Sequence, residues 1–473
     1  MKKIITLLFA FNLIGYSQTK TVEIPTEKRI IEYQFSENGK SYIQLGKVLE
    51  MVGTPQEKNL LEFDMDLNKV AEYDLSKIVS NVEGFVSNNG NVKGFYKQGI
   101  TSFSAYTSYF FNDNKYEDTK DKNPIKEIIN IINSENYQVF FGSTENRRNK
   151  KIISGEEYST LAFYRVNNKN FDKKLIKIDF PKQSFMNSKL SYQYVTHTDV
   201  KMFFILNELQ NDNQKNVCTL VSYDYDGKLI DNIPFVIELE NKNFFSPTTN
   251  YQKGNRIEVA QGGVLKMLPT DSAFIQIKVD TENNCFYTYG ILNTSSERRG
   301  GLQKGYFINK FDFSGKMIWK IEQVNRSKKD TQKNFVMDIG HYFTFIDKNQ
   351  IGYACKKFGT DFTDFLYIDK NSGNVVNQKS IKTSGSTAPF IKISRTSSYE
   401  SLKNSKLFID DAKQNKNVRL DTPTIFAIIS NSEVEKYINA NPESRFTTNI
   451  SPTGIYIIEE RLKENKYNLL KFN

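Results

Sequence analysis

The chain has 473 residues, of which 25% are charged and 13% aromatic, and its formal net charge is +10. This aromatic content excludes a disordered chain, and 11 Pro with 25 Gly exclude a collagen-like or linker protein. Two His and three Cys are too few for a His-rich or Cys-rich metal site, so we predict neither a metal nor a cofactor.

The first segment, residues 1–17, has the pattern of an export signal. Lys2 and Lys3 precede the apolar stretch Ile4–Ile14, which is shorter than a membrane span. The alternative is a buried N-terminal helix. We predict export to the periplasm or the exterior of a Gram-negative bacterium. No later apolar stretch approaches the ~18 residues of a membrane-spanning helix, so none is expected after signal removal.

Strand-like sequence follows, rich in Phe, Tyr, Ile and Val and divided by polar turns. The turns are centred near residues 67, 113, 168, 227, 315, 372 and 464. Most of their spacings are close to the ~45–60 residues of a propeller blade. Two segments deviate from this pattern. Pro124–Asn133 fits a helical turn or a strand, and Asn431–Asn439 predicts a short helix with Ser432 as its cap.

These features predict an all-β fold, a β-propeller with seven blades preferred and six or eight possible. We place it in a single domain over residues 18–473, with loop insertions near 240–271 and 383–449. Thr21–Phe35 and Tyr456–Asn473 are expected to meet in the blade that closes the ring. The alternative is a pair of smaller β domains.

One hairpin carries a family resemblance. Phe311–Lys320 places an Asp, a Ser-Gly-Lys turn and an aliphatic-Trp-Lys strand in succession, and Asp369–Val376 is similar without the Trp. This pattern resembles the outer hairpin of quinoprotein-type and related bacterial β-propellers, which implies a fold but no active site. Quinoprotein dehydrogenases carry a Trp in most blades, whereas this chain has one, Trp319, so no quinone cofactor is expected.

The recurring Asp of these turns also resembles the start of a calcium loop at Asp224. An EF-type loop would close with a Glu at its twelfth position, and Phe235 stands there. We therefore predict that the Asp accepts hydrogen bonds from nearby backbone N–H groups of the turn.

The three cysteines, Cys218, Cys285 and Cys355, lie far apart in apolar, strand-like sequence. They are predicted to be buried free thiols, or one disulfide and one thiol, because an exported protein can form disulfides.

Candidate ligand-binding residues are Arg298 and Arg299, because a guanidinium beside two Gly suits a carboxylate or phosphate ligand. His341, which precedes a predicted strand, is a further candidate for lining the propeller axis. No Gly-x-Ser-x-Gly elbow is present, and the catalytic residues remain unknown.

The sequence therefore favours an exported, non-catalytic binding or scaffolding propeller, monomeric, with a protein or glycan partner. Nucleic acid is not expected, since basic residues are interspersed with acidic ones. One alternative is a secreted carbohydrate-active hydrolase or lyase with carboxylate, Arg or Tyr side chains at its axis. Another is a component of a cell-envelope assembly.

Overall fold

A computed structural model describes most of the predicted strands. The described residues are 20–24, 28–35, 40–48, 55–76, 82–88, 91–98, 105–112, 115–118, 124–125, 127–144, 161–170, 172–178, 190–209, 215–240, 243–244, 258–261, 264–267, 275–293, 303–326, 342–346, 349–356, 362–382, 406–411, 416–451, 453–461, 463–464 and 466–472. The export-signal prediction, residues 1–17, lies outside them.

In this part of the chain the strands form seven large antiparallel sheets, six with four strands and one with five, and two separate hairpins. The first strand, β1 (Lys20–Ile24), belongs to the last sheet. Sheets 1 to 3 consist of β2 (Arg29–Phe35), β3 (Ser41–Val48), β4 (Pro55–Phe63) and β5 (Lys69–Asp74); β6 (Val82–Asn88), β7 (Asn91–Gln98), β8 (Ala105–Asn112) and β9 (Lys115–Asp118); and β10 (Glu127–Asn133), β11 (Tyr137–Ser143), β12 (Leu161–Asn167) and β13 (Lys173–Lys177).

The next three sheets follow the same order. Sheet 4 consists of β14 (Leu190–His197), β15 (Lys201–Leu209), β16 (Lys215–Asp224) and β17 (Leu229–Glu238). Between sheets 4 and 5 lie β18 (Asn243–Phe244), which joins sheet 5, and the hairpin β19 (Glu258–Gln261) and β20 (Val264–Met267). Sheets 5 and 6 consist of β21 (Ile275–Asp280), β22 (Cys285–Asn293), β23 (Gln303–Asp312) and β24 (Met317–Arg326); and β25 (Tyr342–Ile346), β26 (Gln350–Lys356), β27 (Phe362–Asp369) and β28 (Val375–Lys382).

The last part contains the second hairpin, both described helices and sheet 7. Its elements are β29 (Lys406–Asp411), β30 (Lys416–Asp421), α1 (Thr422–Ser430), α2 (Ser432–Ala440), β31 (Arg445–Ser451), β32 (Gly454–Arg461) and β33 (Lys466–Phe472). Sheet 7 runs β31, β32, β33, β1, so the two ends of the chain pair antiparallel at its outer side.

The sheets follow one another around a ring. First strands of neighbouring sheets touch, as β2 touches β6, β6 touches β10, β14 touches β21 and β25 touches β31. Buried apolar clusters join sheet 3 to sheet 4, sheet 5 to sheet 6 and sheet 7 to sheet 1. The prediction of an all-β propeller is confirmed, and the number of sheets falls within the predicted range of six to eight.

The predicted chain-end pairing needs one correction. Lys20–Ile24 pairs with Lys466–Phe472 in sheet 7, but Arg29–Phe35 is the first strand of sheet 1. The break between the two strands lets the chain leave the outer edge of sheet 7 and start the next sheet at its inner edge. The two sheets then pack together, with Ile24 and Tyr456 in a shared cluster.

All seven predicted turns join neighbouring strands. Six of them connect the third and fourth strands of sheets 1 to 6, and the one near residue 464 connects β32 to β33. The ambiguous segment Pro124–Asn133 contains a strand, β10, and no helix in its described part.

The second predicted insertion carries structure rather than a plain loop. The predicted helix is present as α2, but its cap is Asn431 rather than Ser432. The Asn431 side chain accepts hydrogen bonds from the N–H groups of Glu433 and Val434, because an extended residue before the first turn can reach these unpaired donors. Helix α1 packs between sheets 6 and 7, where Phe426 contacts Phe365.

Candidate functional site

The turns between third and fourth strands are the most regular feature of the molecule. Asp312 Oδ1 accepts hydrogen bonds from the backbone N–H groups of Ser314 (2.9 Å) and Lys316 (3.0 Å). The same arrangement recurs at Asp64 and Asp224, whereas Asp369 Oδ1 accepts from the N–H groups two and three residues on. The Ser314 hydroxyl and these N–H groups hold the pKa of Asp312 below its usual range. The predicted role of the recurring Asp is therefore confirmed.

Three of the four Asp turns are also held by a hydrogen bond from the preceding sheet. A side chain of that sheet donates to the carbonyl oxygen of the residue after the Asp in three cases: Arg165 to Tyr225 (3.1 Å), Lys310 to Lys370 (2.7 Å) and Tyr456 to Met65 (3.1 Å). These bonds fix the height of one sheet relative to the next, because a carbonyl that is tied to a neighbouring strand cannot slide along it.

Glycine permits the close approach at these turns. Gly315 has a φ of +82°, and a Cβ there would lie 2.2 Å from the carbonyl oxygen of Pro234 in sheet 4. Gly373 has a φ of +73° and lies against the ring of Trp319 in sheet 5. A Cβ on residue 373 would lie 2.8 Å from Cδ2 of Trp319. Only glycine combines this backbone conformation with the missing side chain.

A buried polar cluster lies between sheets 5 and 6. Lys370 Nζ is 2.6 Å from Asp280 Oδ2, and both side chains are at most 7% exposed. The indole N–H of Trp319 and the Lys310 ammonium both donate to the Lys370 carbonyl, and the ammonium also lies 5.8 Å from the Tyr287 ring centroid. The three contacts made to Lys370 join the two sheets, so this chemistry is structural.

The outer strands begin with a repeated irregularity just after the turns. In sheets 1, 4, 5 and 6 the register between third and fourth strands shifts by one residue. The extra residue of each bulge is an exposed β-branched aliphatic: Val70 (58% exposed), Ile230 (47%), Ile318 (49%) and Val376 (53%). A bulge leaves its extra residue unpaired and re-aims the side chain. We call these four residues the rim.

A second apolar residue and a lysine accompany the rim. Leu229, Met317 and Val375 directly precede rim residues and are 38–43% exposed. Exposed Lys228 and Lys316 stand just before two of these pairs. The nearby acids are engaged within the protein, since Asp226 binds Arg165 and Lys174, and both cations hold its pKa low. The rim therefore combines aliphatic surface with neighbouring charges of both signs.

The residues predicted as a ligand site, Arg298, Arg299 and His341, lie outside the described residues. The other histidine, His197, lies in β14, where its Nδ1 is 2.6 Å from the hydroxyl of Tyr194. Cys218 and Cys285 are buried free thiols. Among the described residues no group of three or more His, Cys, Asp or Glu side chains is placed to hold a metal ion.

Sequence reasoning missed the rim, although a signal for it was present. A strand with one buried face alternates, so two adjacent aliphatic residues on an outer strand cannot both point inward. Leu229-Ile230, Met317-Ile318 and Val375-Val376 break this alternation at the same distance from a turn glycine. The repetition of this interrupted alternation in three strands, more than any single pair, indicates the rim.

No protein-family model and no curated protein matches the chain. Solved structures do. A member of the DUF4221 family from Bacteroides vulgatus is 11% identical, with a TM-score of 0.30, and the match covers 72% of this chain and 94% of that one.

Two enzymes of known structure are similar to the same extent. A prolyl endopeptidase is 9% identical with a TM-score of 0.38, over 92% of this chain but 55% of the peptidase. A GH93 α-L-arabinofuranosidase of Fusarium graminearum is 10% identical with a TM-score of 0.29, over 72% and 91%. Identities this low concern the fold alone.

The class of the protein follows from its own sheets. Repeated antiparallel meanders, joined around a ring and closed by the chain ends, define a β-propeller. In the described part of the chain no helix has the length and hydropathy that a membrane span requires.

Proposed function

We propose that this chain is an exported, non-catalytic binding propeller of the cell envelope, and that the rim is its contact surface. The observation that carries the proposal is the exposed β-branched residue at the same bulge of four sheets: Val70, Ile230, Ile318 and Val376. Single exposed aliphatics are ordinary on protein surfaces, whereas a set repeated at one structural position favours an interaction surface.

The buried side of the same turns supports a scaffolding role. The carbonyl bonds from Arg165, Lys310 and Tyr456 tie sheet 3 to sheet 4, sheet 5 to sheet 6 and sheet 7 to sheet 1. Because these bonds lie at the turns, they keep the rim residues in a fixed arrangement. Binding at the rim therefore loses little conformational entropy of the protein.

The export signal predicted at residues 1–17 supports the envelope as the place of action. Expressed with these residues in a Gram-negative host, the chain should lose them and be recovered in the periplasmic fraction or the medium. Recovery of the uncleaved chain in the cytoplasm would contradict the proposal.

The contact surface is tested with a variant in which Val70, Ile230, Ile318 and Val376 are all replaced by Thr. Threonine keeps the β-branched shape and the strand preference while it removes apolar surface. The wild type should co-sediment with envelope fragments and the variant should remain in solution. The matched control is Val236→Thr, because Val236 lies on β17 with Ile230 but farther from the turn. Equal sedimentation of wild type and rim variant would refute the proposed surface.

A further inference from the structure

We infer that Glu459 is an acid-sensitive anchor, which holds helix α2 against sheet 7 while it is charged and releases the helix when it is protonated. The inference concerns the helices between sheets 6 and 7 and is independent of the rim. It is carried by the hydrogen bonds that converge on one buried carboxylate and by the small apolar contact that α2 makes beside it.

The carboxylate of Glu459 accepts hydrogen bonds from the helix, from the turn that follows it and from sheet 7. The hydroxyl of Tyr437 in α2 donates to Oε2, and the hydroxyl of Ser444, just before β31, donates to Oε1, both over 2.7 Å. From sheet 7, Asn468 Nδ2 (2.6 Å) and Arg461 Nε (3.3 Å) also donate to Oε2. Glu459 is 0% exposed, so these donors replace the water that its charge requires.

Helix α2 contributes less to the core than its neighbour α1. Three consecutive residues of α1, Ile425–Ala427, are 0% exposed, whereas α2 buries Val434 and Ile438 in the same apolar cluster. A helix of nine residues is not stable in water without such tertiary contacts. The bond from Tyr437 to Glu459 is therefore one of the main attachments of α2, and its loss would expose apolar surface between sheets 6 and 7.

The charge on Glu459 keeps the anchor in place at neutral pH. Burial raises the pKa of Glu459, but the surrounding donors and the charge of Arg461 lower it further, to below its usual range. The folded state thus binds fewer protons at this site than the unfolded state. The stability that the charged group contributes is present above about pH 4 and is lost as the pH falls through the lowered pKa.

Other charged groups on the surrounding elements are engaged elsewhere. Tyr437 and Arg461 are the titratable side chains that contact the Glu459 carboxylate, and Arg461 also lies 3.6 Å from Glu464. The remaining charges of α2, the turn after it and sheet 7 include the pairs Lys436–Glu433, Lys463–Glu443, Arg445–Glu460, Lys466–Glu23 and Lys471–Asp66, together with the exposed Glu435. Helix α1 carries no charged residue.

The experiment follows hydrogen exchange of the whole chain by mass spectrometry and compares the wild type with Glu459→Gln. The amide has nearly the size of the protonated acid and no charge. At neutral pH the amides of Val434–Ala440 should exchange about tenfold faster in the variant, because bonds to a charged group are stronger than those to a neutral one. Strands β22 and β23 of sheet 5 should exchange as in the wild type.

The matched control is Glu460→Gln, at the next residue of β32. Its carboxylate lies 3.6 Å from Arg445 and is partly exposed, so the change removes the same charge from the same strand without touching the anchor. Exchange in α2 should then equal that of the wild type. Tyr437→Phe removes one donor and should accelerate exchange in α2 less than Glu459→Gln does.

Lowering the pH gives the second readout. After correction for the intrinsic exchange rate, α2 of the wild type should lose protection near about pH 4, and the Glu459→Gln variant should not change there. Unchanged exchange of α2 in Glu459→Gln, or the same acceleration in Glu460→Gln, overturns the inference. Equal loss of protection in α2 and in sheet 5 also contradicts it, since the whole ring would then unfold rather than one helix.

Discussion

The two faces of sheet 5 pack against their neighbouring sheets through different kinds of side chain. The face toward sheet 4 presents Phe286, Phe307 and Phe311 to an apolar cluster. The face toward sheet 6 presents Tyr287, Tyr289 and Tyr306, together with the buried pair Asp280–Lys370. Neighbouring residues of one strand, Phe286 and Tyr287, thus enter different environments because side chains alternate across a sheet.

The comparison separates contacts that hold two sheets together from contacts that fix their relative position. On the phenylalanine face the Phe235 ring lies 4.8 Å from Phe286 and 5.0 Å from Phe311, so stability comes from buried area and ring contacts. On the tyrosine face Lys310 and Trp319 donate to one carbonyl of the next sheet. Such bonds are directional and hold one sheet in one position against the other.

The largest expected effect is on the phenylalanine face. Phe286→Ala should lower the free energy of unfolding by about 4 kcal/mol, because it opens a cavity in a fully buried cluster. Tyr287→Phe should cost about 1 kcal/mol or less, since it keeps the ring and removes one weak bond from the Cys285 thiol. Urea unfolding measures both. Equal losses would break the distinction between the faces.

The next effect concerns the buried ion pair. Asp280→Asn should cost about 3 kcal/mol, because the Lys370 ammonium stays buried without its counter-charge. Replacing both partners, Asp280→Leu with Lys370→Met, should cost less than the single change, since no unpaired charge remains. A double variant less stable than Asp280→Asn would show that the pair contributes net attraction rather than alignment.

The close contact between the β23–β24 turn of sheet 5 and strand β17 of sheet 4 is tested at Gly315. Gly315→Ala should cost about 2 kcal/mol, because alanine is strained at a φ of +82° and its Cβ meets the Pro234 carbonyl. Lys316→Ala, one residue away and exposed, should leave the unfolding midpoint unchanged. A Gly315→Ala variant as stable as Lys316→Ala would mean that the turn does not press on the preceding sheet.

The smallest expected effect is a pH dependence of the stability, caused by the Asp residues in the turns of sheets 5 and 6. The pKa values of Asp312 and Asp369 are lowered by hydrogen bonds within their turns. The folded state therefore holds fewer protons than the unfolded state, and the stability from these groups is present above about pH 4 and lost as the pH falls below it. Asp312→Asn with Asp369→Asn keeps acceptor oxygens and should flatten the acid loss seen in chemical unfolding. Parallel pH curves would contradict this role.

Local chemistry explains why the fold was predictable. An Asp that accepts turn N–H groups and a Gly at positive φ are encoded within five residues, as in Asp312–Lys316, so each copy could be recognised alone. The number and spacing of these turns predicted the propeller fold. The closing sheet was assigned less well, since nothing local distinguishes β1, an outer strand, from β2, an inner one.

The candidate surface was harder to predict because it depends on register. Ile230 and Ile318 read as ordinary strand residues until the one-residue shift in pairing places them outside. The partners of Asp280 and Lys310 lie in another sheet and some 60–90 residues away, where sequence spacing gives no information on proximity. Arg298, Arg299 and His341 were chosen for charge and a neighbouring glycine, and they stay predictions.

The pairing of β1 with β33 has a consequence for the order of events in folding. Lys20–Ile24 leaves the ribosome long before its partner Lys466–Phe472 is synthesised. The ring can be completed only after every sheet between these two strands has been synthesised, and contacts between such distant segments form slowly. Until then the first strand offers an unpaired edge, which makes the growing chain dependent on being kept apart from other copies of itself.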